Sequence, residues 1–273
     1  MNSKKLILVV LVVVVGLAVS KNSLYEFYIS INNDKSSLIN KPDPTKNQSR
    51  VFKTSFESLD DFKGFYISPQ NHQNSASHDF STEQAKSGKY SHKGWIYKTN
   101  NPSTVFTNNN HRGYPTVQFN KTEGGAFKTP VLIEFWVWLD MEIAKGEWFS
   151  FATLDHTNST EWDAVLVNLS DVGTVQLMHV PSNGKGTRTF QTTNIKFPMK
   201  KWVKLTICLN FDAEKGGAKV WQDDQLVSEA NISKGRGDGF FTQAHFGLYA
   251  PPSISKGVVY NDDLIIKEGN CKS

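Results

Sequence analysis

From Val51 onward the chain alternates apolar and polar residues with a period of two, the pattern of strands that bury one face. In one stretch Val203, Leu205, Ile207, Leu209 and Phe211 alternate with Lys204, Thr206 and Asn210. The same reading predicts strands near 51–56, 88–97, 114–120, 131–139, 147–154, 163–169, 174–180, 187–193, 202–211, 217–222, 225–230, 244–250 and 258–267. Turn signals such as Glu123-Gly124-Gly125, Asn183-Gly184 and Lys215-Gly216-Gly217 separate them, and no long helical period intervenes. Short, closely spaced strands without helices predict an all-β domain, a two-sheet antiparallel sandwich or jelly roll.

Three of these strands carry unusual side chains on the face turned from the core. Between Arg112 and Phe119 one parity holds Gly113, Pro115, Val117 and Phe119, and the other holds Arg112, Tyr114, Thr116 and Gln118. Between Val131 and Leu139 the core parity is Val131, Ile133, Phe135, Val137 and Leu139, with Glu134, Trp136 and Trp138 opposite beside Leu132. Between Ala244 and Ala250 the apolar set leaves His245, Gly247 and Tyr249 on the second face. A solvated sheet face is ordinarily Lys, Glu, Thr and Ser. A face of Arg, Gln, His, Tyr and Trp points to a cleft for a polymer, and the three sets are expected to share one concave front surface.

Other features set the context. Lys4 and Lys5 precede an apolar run over residues 6–19 that ends in the small-residue pattern Ala18-Val19-Ser20, the layout of a cleaved signal peptide. The run is shorter than the roughly 20 residues that span a bilayer, and an uncleaved anchor giving membrane attachment through residues 6–19 is the alternative. Residues 21–50 read as a polar spacer, rich in Asn, Asp, Lys, Ser and Pro between 32 and 50, leaving 51–273 as one domain. The formal charge of +4 includes both leader lysines. The remainder is too small, and too free of basic runs, for a nucleic-acid partner. Cys208 and Cys271 are the two cysteines, and with one in a strand and one in the last residues, free thiols or optional pairing are expected. Sequons begin at Asn47, Asn120, Asn158, Asn168 and Asn231.

The segment "KWVKLTICLNFDAEKGGAKVWQDDQLVSEA" and the ending "GVVYNDDLIIKEG" resemble the back-sheet strands and closing strand of concanavalin A-like lectin and glucanase domains. Within that superfamily, His245-Phe246-Gly247-Leu248-Tyr249 resembles the late front-sheet motif of heparin-lyase-like and alginate-lyase-like jelly-roll polysaccharide lyases. "HKGWIY" and "HRGYPTVQF" resemble the early part of the same sandwich. The resemblance implies a concave front sheet and a catalytic Tyr at Tyr249. It departs from the alginate group at His245, where that group has Lys, and at Gln176-Leu177-Met178-His179, where Gln-x-His is broken. His179 shares parity with Val175 and Leu177 and is expected to be a hydrogen-bonded core histidine.

Lyase chemistry needs a neutralised uronate carboxylate, a base for the C5 proton and an acid for the departing O4. Arg112 and Gln118 are assigned to the carboxylate, His245 or His111 to the base, and Tyr249 to the acid or both roles. Tyr114, Glu134, Trp136 and Trp138 are assigned to substrate binding. A glycoside hydrolase would need paired carboxylates, and Trp138 stands where the first Glu of that signature belongs, before Asp140 and Glu142. No zinc cluster, phosphate loop or Gly-x-Ser-x-Gly elbow occurs. No cofactor is expected, although this fold admits a structural calcium ion on carboxylates such as Asp262 and Asp263. The reading is an exported monomer handling an acidic polysaccharide, lyase-like, with a non-catalytic lectin or adhesion module as the alternative.

Overall fold

The computed structural model describes residues 49–58, 65–66, 72–73, 76–97, 110–122, 124–157, 162–181, 186–232, 238–269 and 271. The leader, nearly all of the spacer, and the sequons at Asn47 and Asn158 lie outside the described residues. In chain order the strands are β1 (Val51–Thr54), β2 (Phe65–Tyr66), β3 (His72–Gln73), β4 (Ala76–Ser81), β5 (Ser91–Ile96), β6 (His111–Gly113) and β7 (Thr116–Gln118). They continue as β8 (Phe127–Lys128), β9 (Val131–Met141), β10 (Trp148–Thr157), β11 (Trp162–Ser170), β12 (Val175–Val180) and β13 (Arg188–Phe190). The last are β14 (Trp202–Asn210), β15 (Gly217–Gln222), β16 (Gln225–Asn231), β17 (Phe240–Phe241), β18 (Gln243–Ala250) and β19 (Gly257–Glu268).

Among the described residues these strands form the two antiparallel sheets of a jelly-roll sandwich and a separate two-stranded ribbon of β8 with β17. The back sheet runs β16-β15-β14-β9-β19-β5-β4, with β1 paired to β19. The front sheet runs β13-β12-β11-β10-β18-β6-β3, with β7 paired to β18 and to β2. Alternation along β9 is strict: Val131, Ile133, Phe135, Val137, Leu139 and Met141 are buried, and the residues between them are half-buried. Phe135 meets Phe246 of the front sheet edge-to-face with ring centroids 5.3 Å apart, which locates the core between the sheets. Phe149, Phe151, Phe211 and Phe241 are also fully enclosed. Each such ring contributes about 1.5–3 kcal/mol through its burial.

The predicted strand over 114–120 holds only β7, followed by a single 3-10 turn at Phe119–Lys121, and β6 lies just before it. Pro115 has no N–H to give the ladder, so pairing with β18 is interrupted there. β6 takes the Leu248–Ala250 end of β18 and β7 takes the Gln243–His245 end. β4 was not legible as a strand, because its inward positions are Ala76 and His78 rather than large apolar residues.

Of the two alternatives for the cysteines the structure has the pairing: Cys208 and Cys271 form a disulfide, with Cα atoms 5.4 Å apart. Glu268 ends β19 beside Val131 of β9, and Cys208 of β14 pairs with Leu132 of the same strand. The chain leaving β19 therefore has only one strand to cross. Asp262 is fully buried. Its carboxylate accepts hydrogen bonds from the amides of Lys86 and Ser87 at 2.8 and 3.2 Å, and from Asp263 at 2.8 Å. It pins the loop at Lys86 and Ser87 to β19, and no group of three metal-ligating side chains occurs among the described residues. Asn168 is fully buried in β11, so its sequon is closed in the folded protein. Among the described residues no helix is long and apolar enough to cross a membrane.

Candidate functional site

Register brings the chemistry together on the outer face of the front sheet. Tyr249 pairs with Arg112, His245 with Thr116 and Gln243 with Gln118, so alternate residues of β18 face alternate residues of β6 and β7. On the other side of β18, Ser150, Thr153 and Asp155 of β10 pair with Tyr249, His245 and Gln243. Gly247 sits at the irregularity in this pairing with φ of 141°. A Cβ there would stand 2.9 Å from Gly113 O, His92 Cε1 and Tyr114 Cβ, so only glycine lets the strand pass.

Tyr249 is partly exposed, and its hydroxyl oxygen accepts a hydrogen bond from Asn110 Nδ2 at 2.9 Å. Trp148 packs edge-on against its ring at 5.1 Å, and Arg112 Cζ lies 5.9 Å from the ring centroid. The Arg112 Nε is buried without a hydrogen-bond partner. Tyr114 stacks on His245 with centroids 4.4 Å apart and an interplanar angle of 10°. Tyr114 also meets Tyr249 edge-on at 6.0 Å. Burial pushes the Tyr114 hydroxyl to higher pKa. His245 exposes 19 % of its side chain. Burial, and secondarily Arg112, push its imidazole down to about 3, so it is neutral in ordinary solution.

Several expected assignments change. Tyr114 is only 4 % exposed and covered by His245, so it supports that ring from below instead of offering a face to a sugar. His111 alternates with Arg112, falls on the inner parity and is fully buried, which removes it as a base for anything on the outer face. Gln118 lies on the right face but beside Gln243, six residues from Tyr249 along β18. At about 3.3 Å per residue that is roughly 20 Å, so Arg112 and Gln118 cannot grip one carboxylate. Glu134, Trp136 and Trp138 belong to β9 and lie on the outer face of the back sheet, opposite the Tyr249 face. There Glu134 pairs with Lys204, Lys86 covers the Trp136 ring at 4.1 Å, and Trp138 packs on Tyr260. Depressions of about 520 and 480 Å³, one lined by Trp136 and the other by Trp95 and Tyr260, also open on that back face.

Four contributors went unread in the sequence. Asp155 and Gln243 each lie one residue beyond the strand ends expected from periodicity, and extending the parity by one residue finds both. Trp148 lies inside the predicted strand 147–154, on the parity opposite Phe149 and Phe151. Asn110 precedes β6 and has no periodic signal. His179 is the core histidine expected: its Nε2 lies 2.6 Å from Asp163 Oδ1, both side chains enclosed.

No protein-family model matches the sequence, and no curated protein does. Solved structures do match. The endo-β-1,4-glucuronan lyase of the fungus Trichoderma reesei superposes with a TM-score of 0.58 at 13% identity, over 80% of this chain and 95% of that one. The cellulose-induced protein Cip1 gives 0.55 at 14% identity, over 81% and 100%. The alginate lyase vAL-1 of Chlorella virus gives 0.52 at 11% identity, over 71% and 91%. At such identities the likeness is one of architecture, and the chain has the concanavalin A-like jelly-roll fold that these proteins share.

Proposed function

We propose that the outer face of the front sheet binds a uronate-containing polysaccharide and cleaves it by β-elimination. The observation that carries this reading is the pairing of Arg112 with Tyr249 on one face, with neutral His245 on the same strand. The fold shared with a glucuronan lyase and an alginate lyase supports it. Arg112 neutralises the substrate carboxylate, which acidifies the neighbouring C5 proton. Tyr249 exchanges protons with C5 and O4, while Arg112 and the Asn110 amide stabilise charge developing on its oxygen. His245, too weakly basic to hold a proton near neutrality, hydrogen-bonds the sugar as a neutral imidazole. Trp148 supplies an aromatic wall beside Tyr249.

The low basicity of His245 also favours a second reading, a lectin that binds the same polymer without turnover. Elimination leaves a C4–C5 double bond conjugated to the carboxylate, and that product absorbs in the ultraviolet. Incubating the protein with glucuronan, alginate and other uronate polymers separates the two: rising absorbance marks the lyase, and binding with flat absorbance marks the lectin. We further propose that the protein is exported and acts as a monomer. Export is supported by the charged and apolar leader and by the Cys208–Cys271 disulfide, a bond that persists in oxidising compartments. Mass spectrometry of protein recovered from its source reads the processed N-terminus, and gel filtration reads the mass.

A further inference from the structure

Asp155 is 1 % exposed, yet it belongs to the outer face of the front sheet, beside Gln243 in register. Its backbone carbonyl accepts bonds from the Thr242 amide and hydroxyl at 3.0 and 3.2 Å, which anchors the residue to the start of β18. Its Oδ2 accepts a hydrogen bond from Gln243 Nε2 at 3.1 Å. Gln243 Oε1 accepts in turn from Gln118 Nε2 at 2.9 Å.

The direction of this chain follows from its first member. A carboxylate only accepts, whereas an amide has one donating end and one accepting end. Gln243 must turn its NH₂ to Asp155, which leaves its carbonyl for Gln118, and Gln118 must then turn its own NH₂ inward. Reversing either amide sets two acceptors against each other. The arrangement has a visible cost, since Gln118 Oε1 is buried with no hydrogen-bond partner. An unmade buried bond costs about 1–3 kcal/mol, so a freely chosen orientation would avoid it. Asp155 imposes the orientation.

We propose that Asp155 is a positioning residue that presets Gln243 and Gln118 as one hydrogen-bonding subsite, remote from Tyr249, for the hydroxyls of a neighbouring sugar unit. The ligand's identity rests on the polysaccharide reading above; the amide chain does not. Two neutral amides backed by a carboxylate suit uncharged hydroxyls and repel a second carboxylate, so the subsite reads a sugar edge that carries no acid. His245 Nε2, 3.8 Å from Asp155 Oδ2, is too distant for a hydrogen bond and stands between this subsite and the Tyr249 end.

The test uses the ¹⁵N-labelled full chain without ligand. Asp155→Asn can donate as well as accept, so the chain loses its fixed direction. The side-chain NH₂ signals of both Gln243 and Gln118 are expected to move, although Gln118 does not bond residue 155. If the Asn variant does not fold, Gln243→Ala cuts the middle link and the Gln118 signals must move there. Gln118 signals that stay put overturn the proposal. For the ligand, glucuronan oligosaccharides of increasing length are titrated calorimetrically. Asp155→Asn is expected to weaken long oligosaccharides about tenfold, the scale of one lost charge-assisted bond, and to leave the shortest unchanged. Equal weakening at every length overturns the subsite. Absence of unsaturated product from the unaltered protein sinks the lyase reading alone and leaves the amide result standing.

Discussion

Replacing Tyr249 with Phe removes the phenolic proton and keeps the ring, so it separates chemistry from contact. Turnover is expected to fall about a hundredfold or more, with polymer affinity nearly unchanged, measured as absorbance against calorimetric binding. Trp136→Ala and Trp138→Ala are expected to leave both quantities alone, because those rings stand on the opposite sheet. A loss of affinity in either would return the back face to the site. His245 makes a prediction about acid. Its folded pKa of about 3 lies below the ordinary 6.5, so on acidification the unfolded chain takes up a proton that the folded protein refuses. Stability from this residue is present above pH 6.5 and is lost as pH falls towards 3. Buried His92, also held well below the ordinary value by burial, acts in the same direction. Asp262 opposes them: raised to about 6 by burial, it loses stability as pH climbs from 3.8 to 6. His245→Gln should therefore flatten, without abolishing, the fall of the urea midpoint between pH 6 and 4.

At the scale of strands, alternation was a sound guide to which face a residue takes and no guide to which sheet the strand joins. Both sheets of a sandwich bury one parity and expose the other, so β9 and β18 look alike in sequence while their outward residues point in opposite directions. That is why Arg112, His245 and Tyr249 share one face while Glu134, Trp136 and Trp138 stand on the other sheet. The disulfide was hidden for a related reason, since which strand lies beside the end of β19 is a property of topology. Close approach of the sheets was equally invisible. A Cβ on Gly94 of β5 would lie 2.3 Å from Gly113 O and 3.0 Å from Leu248 Cβ of the front sheet. The clash is with backbone, which cannot rotate away. Gly94→Ala is expected to cost about 1–3 kcal/mol, the range for overpacking, seen as a lowered urea midpoint. Because Leu248 lies next to Tyr249, it should also weaken polymer binding.

For the molecule as a whole, the boundary of the folded unit is a question of contacts. Periodicity begins at Val51, but Arg50 is already tied into the sandwich. Its amide donates to Glu268 Oε2 at 3.2 Å, and its carbonyl accepts from the Glu268 amide at 3.0 Å. Its guanidinium donates to Thr122 Oγ1 at 2.9 Å and lies 4.1 Å from the Phe127 ring centroid. Half-burial lowers its pKa, yet an arginine so placed remains charged and keeps its attraction for the ring. Arg50 thus clips β1 to the end of β19, a few residues from where the Cys208–Cys271 bond fastens the same end to β14. The two fastenings act on one strand end and should not be additive. A protein beginning at Ser49 is expected to unfold at the same urea midpoint as the longer chain. Arg50→Ala in that protein should lose about 2–5 kcal/mol, the sum of a cation–π contact and one charged hydrogen bond. Cys271→Ser should lose about 2–4 kcal/mol, below the chain-entropy value for so long a loop if β19 already holds its own end. The double variant decides the coupling: a loss unequal to the sum of the two single losses marks one shared clamp, and equality means that Arg50 and the disulfide secure separate parts of the edge.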